Sequence, residues 1–171
     1  MKQSDVTIFQ ASTGLAGLRD SGIKNTASAI AEIVDNSIEA DAKKIQVIAF
    51  EEPMQSGQRI LDRIVSIAII DNGIGMDSDL ATLCLAVGGG NRQGRKGLGR
   101  FGYGLPNSSL SQARRVEVYT WKDDKKVLHN YLDYDEVQEK KLEKVFSATE
   151  GQIPEELKKY ITKDFKKSGT I

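Results

Sequence analysis

The chain reads as a two-layer α/β (α+β) sandwich, with helices on one face of a mixed, mostly antiparallel sheet. Three observations predict this class. Helix and strand patterns alternate over the first half of the 171 residues. The later strand patterns, near residues 116–121, 127–133 and from Gly169 onward, are joined by short turns or by one helix. No internal repeat interrupts the order. Such an order segregates helices to one side of an antiparallel-rich sheet. A chain of this length can bury a sizeable core as one domain, 1–171. Its 24 acidic and 24 basic residues give no global basic surface for nucleic acid.

The first clear helix begins at Asn25 or Thr26, either a competent N-cap. Ala27, Ile30, Ile33 or Val34, and Ile38 recur three to four residues apart, one buried stripe of a helix. Glu32, Asp35, Asn36 and Glu39 fall at i, i+3, i+4 and i+7 and share the opposite face. An ordinary amphipathic helix would simply show that face to water. Asp35-Asn36-Ser37 are weak helix formers placed mid-helix, however, and local rules are most often broken at functional sites.

A strand follows over 45–50, then a polar, turn-rich loop over 51–58. The β-branched run 64–70 predicts a central strand covered on at least one face. It ends at Asp71-Asn72-Gly73-Ile74-Gly75-Met76. An acid at the end of a buried strand sets an acceptor at a pocket edge, and the glycines let backbone approach a flat ligand. The bland alternative is a plain Asn-Gly turn.

Asp77 or Ser78 can cap a helix through Leu80, Leu83, Cys84 and Val87. Glycine then becomes dense over 88–104, interleaved with Arg92, Arg95, Lys96 and Arg100. This segment suits a flexible lid over polyphosphate, or else a basic linker. Leu105-Pro106 opens a helix running to about residue 113, with Pro in its first turn. A glycine loop feeding a helix N-terminus offers N–H donors to phosphate oxygens. An acid-bearing helix, an acid in a glycine turn and a glycine-rich phosphate loop are together the parts needed to bind Mg-ATP and hydrolyse it.

The remaining residues carry less. Leu157, Tyr160, Ile161 and Phe165 predict a solvated amphipathic helix from Pro154 along the Lys-rich tail 158–167. Trp121 reads as strand packing, His129 as a strand residue and Cys84 as a buried inert thiol. One Cys and one His cannot frame a metal site. No apolar run is long enough to span a bilayer and no signal-peptide pattern is present, so a cytoplasmic location is the default.

In this order and spacing the segments resemble the GHKL (Bergerat-fold) ATPases: DNA gyrase B subunits, heat-shock chaperones, sensor histidine kinases and MutL proteins. The nearest resemblance is to the MORC and heat-shock-chaperone branch. Glu32 to Ala40 resembles the first box (E-x-x-D-N-S-x-E-A), Asp71 to Met76 the second (D-N-G-x-G-M), and Gly97 to Leu105 the third (G-x-G-x-F-G-x-G-L). Ser168-Gly169-Thr170-Ile171 resembles the Gly-Thr strand of the superfamily. The resemblance covers about residues 25–171. It implies Glu32 as general base for the attacking water and Asn36 as Mg²⁺ ligand. It implies Asp71 as acceptor from the adenine amino group, with Gly73 and Gly75 making room, Met76 and Ile38 beside the ring, and Thr170 supporting the same corner. From the third box, Gly97, Gly99, Arg100, Phe101, Gly102, Tyr103, Gly104 and Leu105 would meet the nucleotide, Gly102 and Gly104 through backbone N–H groups. Asp35, Glu39 and Asp41 read as structural. Where many relatives carry Lys two residues after the last loop glycine, this chain has Pro106.

The resemblance further implies an ATP-dependent homodimer, with nucleic acid or a client protein engaged through domains beyond Ile171. The chain stops within what should be a strand, so an N-terminal fragment of a longer protein is expected. A histidine-kinase-type phosphotransfer module is the runner-up, disfavoured by Glu32 and by the lack of a His-bearing hairpin before residue 25. A non-hydrolytic nucleotide sensor is the third reading.

Overall fold

The computed structural model describes residues 11–21, 23, 25–87, 104–122 and 126–171. Six strands form a single sheet in the order β1-β2-β6-β3-β4-β5, and every pairing among the described residues is antiparallel. The sheet is therefore more uniform than the mixed arrangement the sequence predicts. Its strands are β1 (Ile45–Ser56), β2 (Arg59–Asp71), β3 (Arg115–Trp121), β4 (Leu128–Asp133), β5 (Thr149–Glu150) and β6 (Gly169–Thr170). The helices are α1 (Ala11–Ser21), α2 (Thr26–Glu39), α3 (Ser78–Leu83), α4 (Gly104–Gln112), α5 (Tyr134–Lys140) and α6 (Glu155–Lys158). A 3₁₀ turn follows at Lys163–Phe165.

Two apolar clusters lie on opposite faces of the sheet. The helical face is packed by Leu15 of α1, Leu85, Leu110 of α4, Val118, Leu132 and Val137 of α5. The other face holds Ile70, Trp121 and Phe165, with Ile153, Tyr160 and Ile161 against them. Alternation along β2 explains the division. Ile70 turns its side chain to the Trp121 cluster, so its neighbour Asp71 must point toward α2.

Several elements differ from expectation for identifiable reasons. β1 runs on to Ser56 and turns back at Gly57, whose φ of +63° suits a tight hairpin. The predicted loop 51–58 is thus half of an exposed arm. Residues 51–66 are all exposed, so no apolar alternation marks the strand, and cross-strand backbone pairing alone carries it. The tail is not a continuous solvated helix. Its helical turn stops at Lys158; Leu157 is buried, and Phe165 is buried within the second cluster. α1 has no predicted counterpart, because its Ala- and Gly-rich sequence carries little periodic signal.

Candidate functional site

Helix α2 is fixed at its start by Asn25, whose extended backbone lets Oδ1 accept from the Ser28 N–H at 2.9 Å. It ends at Ala40, and Asp41 beyond it takes a left-handed φ of 61°. The predicted buried stripe is corrected by the structure: Ala29 and Ser37 are the buried residues, while Ile38 is 58% exposed. Ile38 does not line the cavity described below. A small residue is needed at position 37 because the helix there crosses the end of β2.

That crossing makes the central contact. Ser37 is 4% exposed and Asp71 6% exposed, and the Ser37 hydroxyl donates to Asp71 Oδ2 at 3.0 Å. Asp71 Oδ1 accepts from the Gly73 N–H at 2.8 Å. Burial raises the Asp71 pKa above the ordinary aspartate value, opposed by the Gly73 N–H, the Ser37 hydroxyl and the Thr170 N–H. These three donors leave one of the carboxylate's four lone-pair sites open, so the group can still accept from a ligand.

Backbone around the acid is packed without room for side chains. A Cβ on Gly73 would lie 2.7 Å from the Ala40 carbonyl oxygen. Gly75 has φ +66°, and a Cβ there would run into the Trp121 carbonyl. A Cβ on Gly169 would strike the Asp71 carbonyl and the Trp121 ring. Thr120 ties the corner together: its hydroxyl accepts from the Met76 N–H at 2.9 Å and donates to the Gly169 carbonyl at 3.0 Å, with Thr170 Oγ1 3.2 Å away. Trp121 Nε1 donates to the Phe165 carbonyl at 2.8 Å, so the packing role expected of Trp121 is met. Asn72 is structural: its Oδ1 accepts from the Lys43 and Lys44 N–H groups at 2.8 Å each.

A cavity of about 1050 Å³ opens beside this corner. It brings together Asn36, Ser37, Asp71, Gly75, Met76, Gly104, Leu105 and Thr170, from four separate parts of the chain. Gly73 lies behind this wall, bonded to Asp71. Gly104 begins α4 beside α2: a Cβ built on it would sit 3.9 Å from Asn36 Nδ2. The α4 N-terminus, with its free N–H groups, is thereby set next to the carboxamide. Glu32 lies one turn N-terminal to Asn36, is exposed, and does not line the cavity. Gly97, Gly99, Arg100, Phe101, Gly102 and Tyr103, and the predicted lid apart from Gly104, lie outside the described residues.

Sequence reasoning assigned no role to Ser37 or Thr120. Ser37 had a signal, as the small polar residue one turn after Ile33 on the buried side. Thr120 had none, since a Thr in a strand is ordinary.

A buried acid at a strand end, held under a carboxamide-bearing helix and walled by glycine backbone, defines a nucleotide-binding α+β sandwich of the Bergerat type. Over residues 24–170 the chain matches the family described as histidine kinase-, DNA gyrase B- and HSP90-like ATPase, and it belongs to that family. ATP binding of the general ATPase type comes with that membership. No curated protein matches the chain.

Proposed function

We propose that the cavity binds ATP with Mg²⁺ and that the chain hydrolyses it. The observation that carries this reading is the buried Asp71, a costly acid with a free lone pair at a cavity it shares with Asn36, Gly75, Met76, Gly104 and Thr170. Asp71 accepts a hydrogen bond from the adenine amino group, and the turn at Gly75 takes the flat ring, with Met76 beside it and Thr170 completing the corner. The α4 N-terminus at Gly104 and Leu105, with Gly97, Gly99, Arg100, Phe101, Gly102 and Tyr103, meets the phosphates. Among the described residues no cluster of three or more His, Cys, Asp or Glu could hold a metal. A phosphate-borne Mg²⁺ fits this, since such ions take few protein ligands, here the neutral oxygen of Asn36. Mg²⁺ would neutralise charge on the phosphate oxygens.

Glu32, one helical turn from Asn36, takes the proton of the water that attacks the γ-phosphorus. The new P–O bond forms as the bond to the β,γ-bridging oxygen breaks, leaving ADP and phosphate. Closure of residues 88–104 over the nucleotide gates homodimerisation or a partner domain, and nucleic acid or a client protein engages regions outside this chain. No helix among the described residues is long and apolar enough to cross a membrane, and a cytoplasmic setting goes with this reading. The test is Glu32→Ala, which should keep nucleotide affinity and lower turnover about 10²–10⁴-fold, the usual worth of a general base. Unchanged turnover would remove Glu32 from the chemistry.

One observation favours a second reading, a nucleotide sensor without turnover: Glu32 is exposed and outside the cavity wall. Phosphate release in a single-turnover experiment separates the two.

A further inference from the structure

Thr120 is fully buried, and the three contacts of its hydroxyl leave it one arrangement. A threonine hydroxyl has one proton and two lone pairs. The Met76 N–H at 2.9 Å can only donate, so it takes one lone pair. The Gly169 carbonyl at 3.0 Å can only accept, so it takes the proton. One lone pair of Thr120 remains for Thr170 Oγ1 at 3.2 Å, and that contact is a hydrogen bond only if Thr170 donates. The Thr170 proton is therefore directed at Thr120, and both Thr170 lone pairs are left for other partners. Thr170 is also paired with Asp71 across β2 and β6. Directly paired residues share a face of the sheet, with Cβ atoms about 4.5–5.5 Å apart. The Ser37 hydroxyl and the Gly73 and Thr170 N–H groups are committed to Asp71, and the Met76 N–H to Thr120. These residues thus present the cavity with two neighbouring acceptors, one on Asp71 and one on Thr170, and with none of these donors.

We propose that Thr120 is a positioning residue that fixes the Thr170 hydroxyl as an acceptor, so that the corner reads both protons of a primary amino group on the purine. One proton goes to Asp71 and the other to Thr170 Oγ1. A 6-oxo purine meets these two acceptors with a third, and a secondary amine has one proton too few. Thr120 itself does not line the cavity, so its effect on the ligand passes through Thr170. The assignment rests on the nucleotide reading and adds to it a selectivity set by a residue behind the cavity wall.

The test measures the affinities for ATP, ITP and N6-methyl-ATP by calorimetry, in the 171-residue chain and in variants, each with a melting curve. Thr120→Val removes the hydroxyl at nearly constant shape. The Thr170 proton can then turn to the ligand and meet a 6-oxo group. The preference for ATP over ITP should therefore fall about tenfold, the worth of one hydrogen bond. Thr120→Ser keeps the hydroxyl and should hold the parent ratio. A general loosening of the corner would weaken both nucleotides together and leave that ratio unmoved. Thr170→Val leaves the Met76 and Gly169 bonds of Thr120 in place, and so serves where Thr120→Val does not fold. It should erase a preference of about tenfold for ATP over N6-methyl-ATP. An unchanged ATP-to-ITP ratio in folded Thr120→Val, a ratio lost equally in Thr120→Ser, or a methyl discrimination untouched by Thr170→Val would each overturn the assignment while nucleotide binding stands. A parent chain that binds none of the three nucleotides would overturn the nucleotide reading and the assignment with it.

Discussion

Asp71→Asn separates the role of this acid in ligand binding from its role in folding. Asn keeps the shape, and its carbonyl oxygen can still accept from the Gly73 N–H, as Asp71 Oδ1 does at 2.8 Å. Its NH₂ then faces Ser37, whose hydroxyl can accept and turn its own proton to the Ile33 carbonyl 3.3 Å away. Neither the Gly73 N–H nor the Ser37 hydroxyl is stranded in the free protein. Burial raises the Asp71 pKa, so its ionised form costs stability. The stabilising, protonated state is complete below the ordinary aspartate range and is lost as pH rises through the raised value. At neutral pH the uncharged Asn should therefore melt no lower than the parent. ATP binding should suffer. The adenine amino group would meet an N–H donor instead of an acceptor, and a buried unmatched donor costs about 1–3 kcal/mol, or about 5–150-fold in affinity. A 6-oxo purine offers an acceptor at the same place, so ITP should lose less than ATP. Calorimetric titration of both nucleotides, with thermal melts, measures all of this. A folded Asp71→Asn that binds ATP as the parent does would refute the reasoning.

Three further outcomes follow from the same corner. Acidification should weaken ATP binding once Asp71 takes up a proton, with a midpoint above that of an ordinary aspartate; affinity unchanged down to about pH 4 would contradict this. Ser37→Ala removes a donor that holds the Asp71 pKa down, so the acid limb of binding should move to higher pH; titrations at several pH values would expose an unmoved limb. Gly75→Ala forces a side chain into φ +66° and against the Trp121 carbonyl. The left-handed backbone alone costs about 1–2 kcal/mol, so with the clash the melting temperature should fall by about 5 °C or more. An unshifted melt would show that the corner gives way more easily than its packing indicates.

The parts of the fold that were legible in sequence are those where one face is buried and the other is not. α2, the end of β2, β3 and β4 announce themselves by period, and the glycine turn after Asp71 by composition. The arm of β1 and β2 is illegible because both of its faces meet water, so no alternation records which residues pair. The 154–165 segment has helical spacing, yet it folds as two short turns because Phe165 is drawn under Trp121, a contact no local pattern encodes. At the site, the motifs placed Asn36, Asp71, Gly75 and Thr170 at one cavity. What they could not show is the second tier, Ser37 and Thr120, since a hydroxyl that orients backbone or another acid looks like any other Ser or Thr. Nor did the shared helix face of Glu32 and Asn36 reveal that one lines the cavity and the other does not.

The decisive measurement is a crystal structure of the chain grown with a non-hydrolysable ATP analogue. The exocyclic amino group of adenine should lie within hydrogen-bonding distance of the Asp71 carboxylate, with the ring against the Gly75 backbone and the phosphates running past Asn36 toward Gly104. A purine bound elsewhere, or seated here with Asp71 making no contact to it, would contradict it.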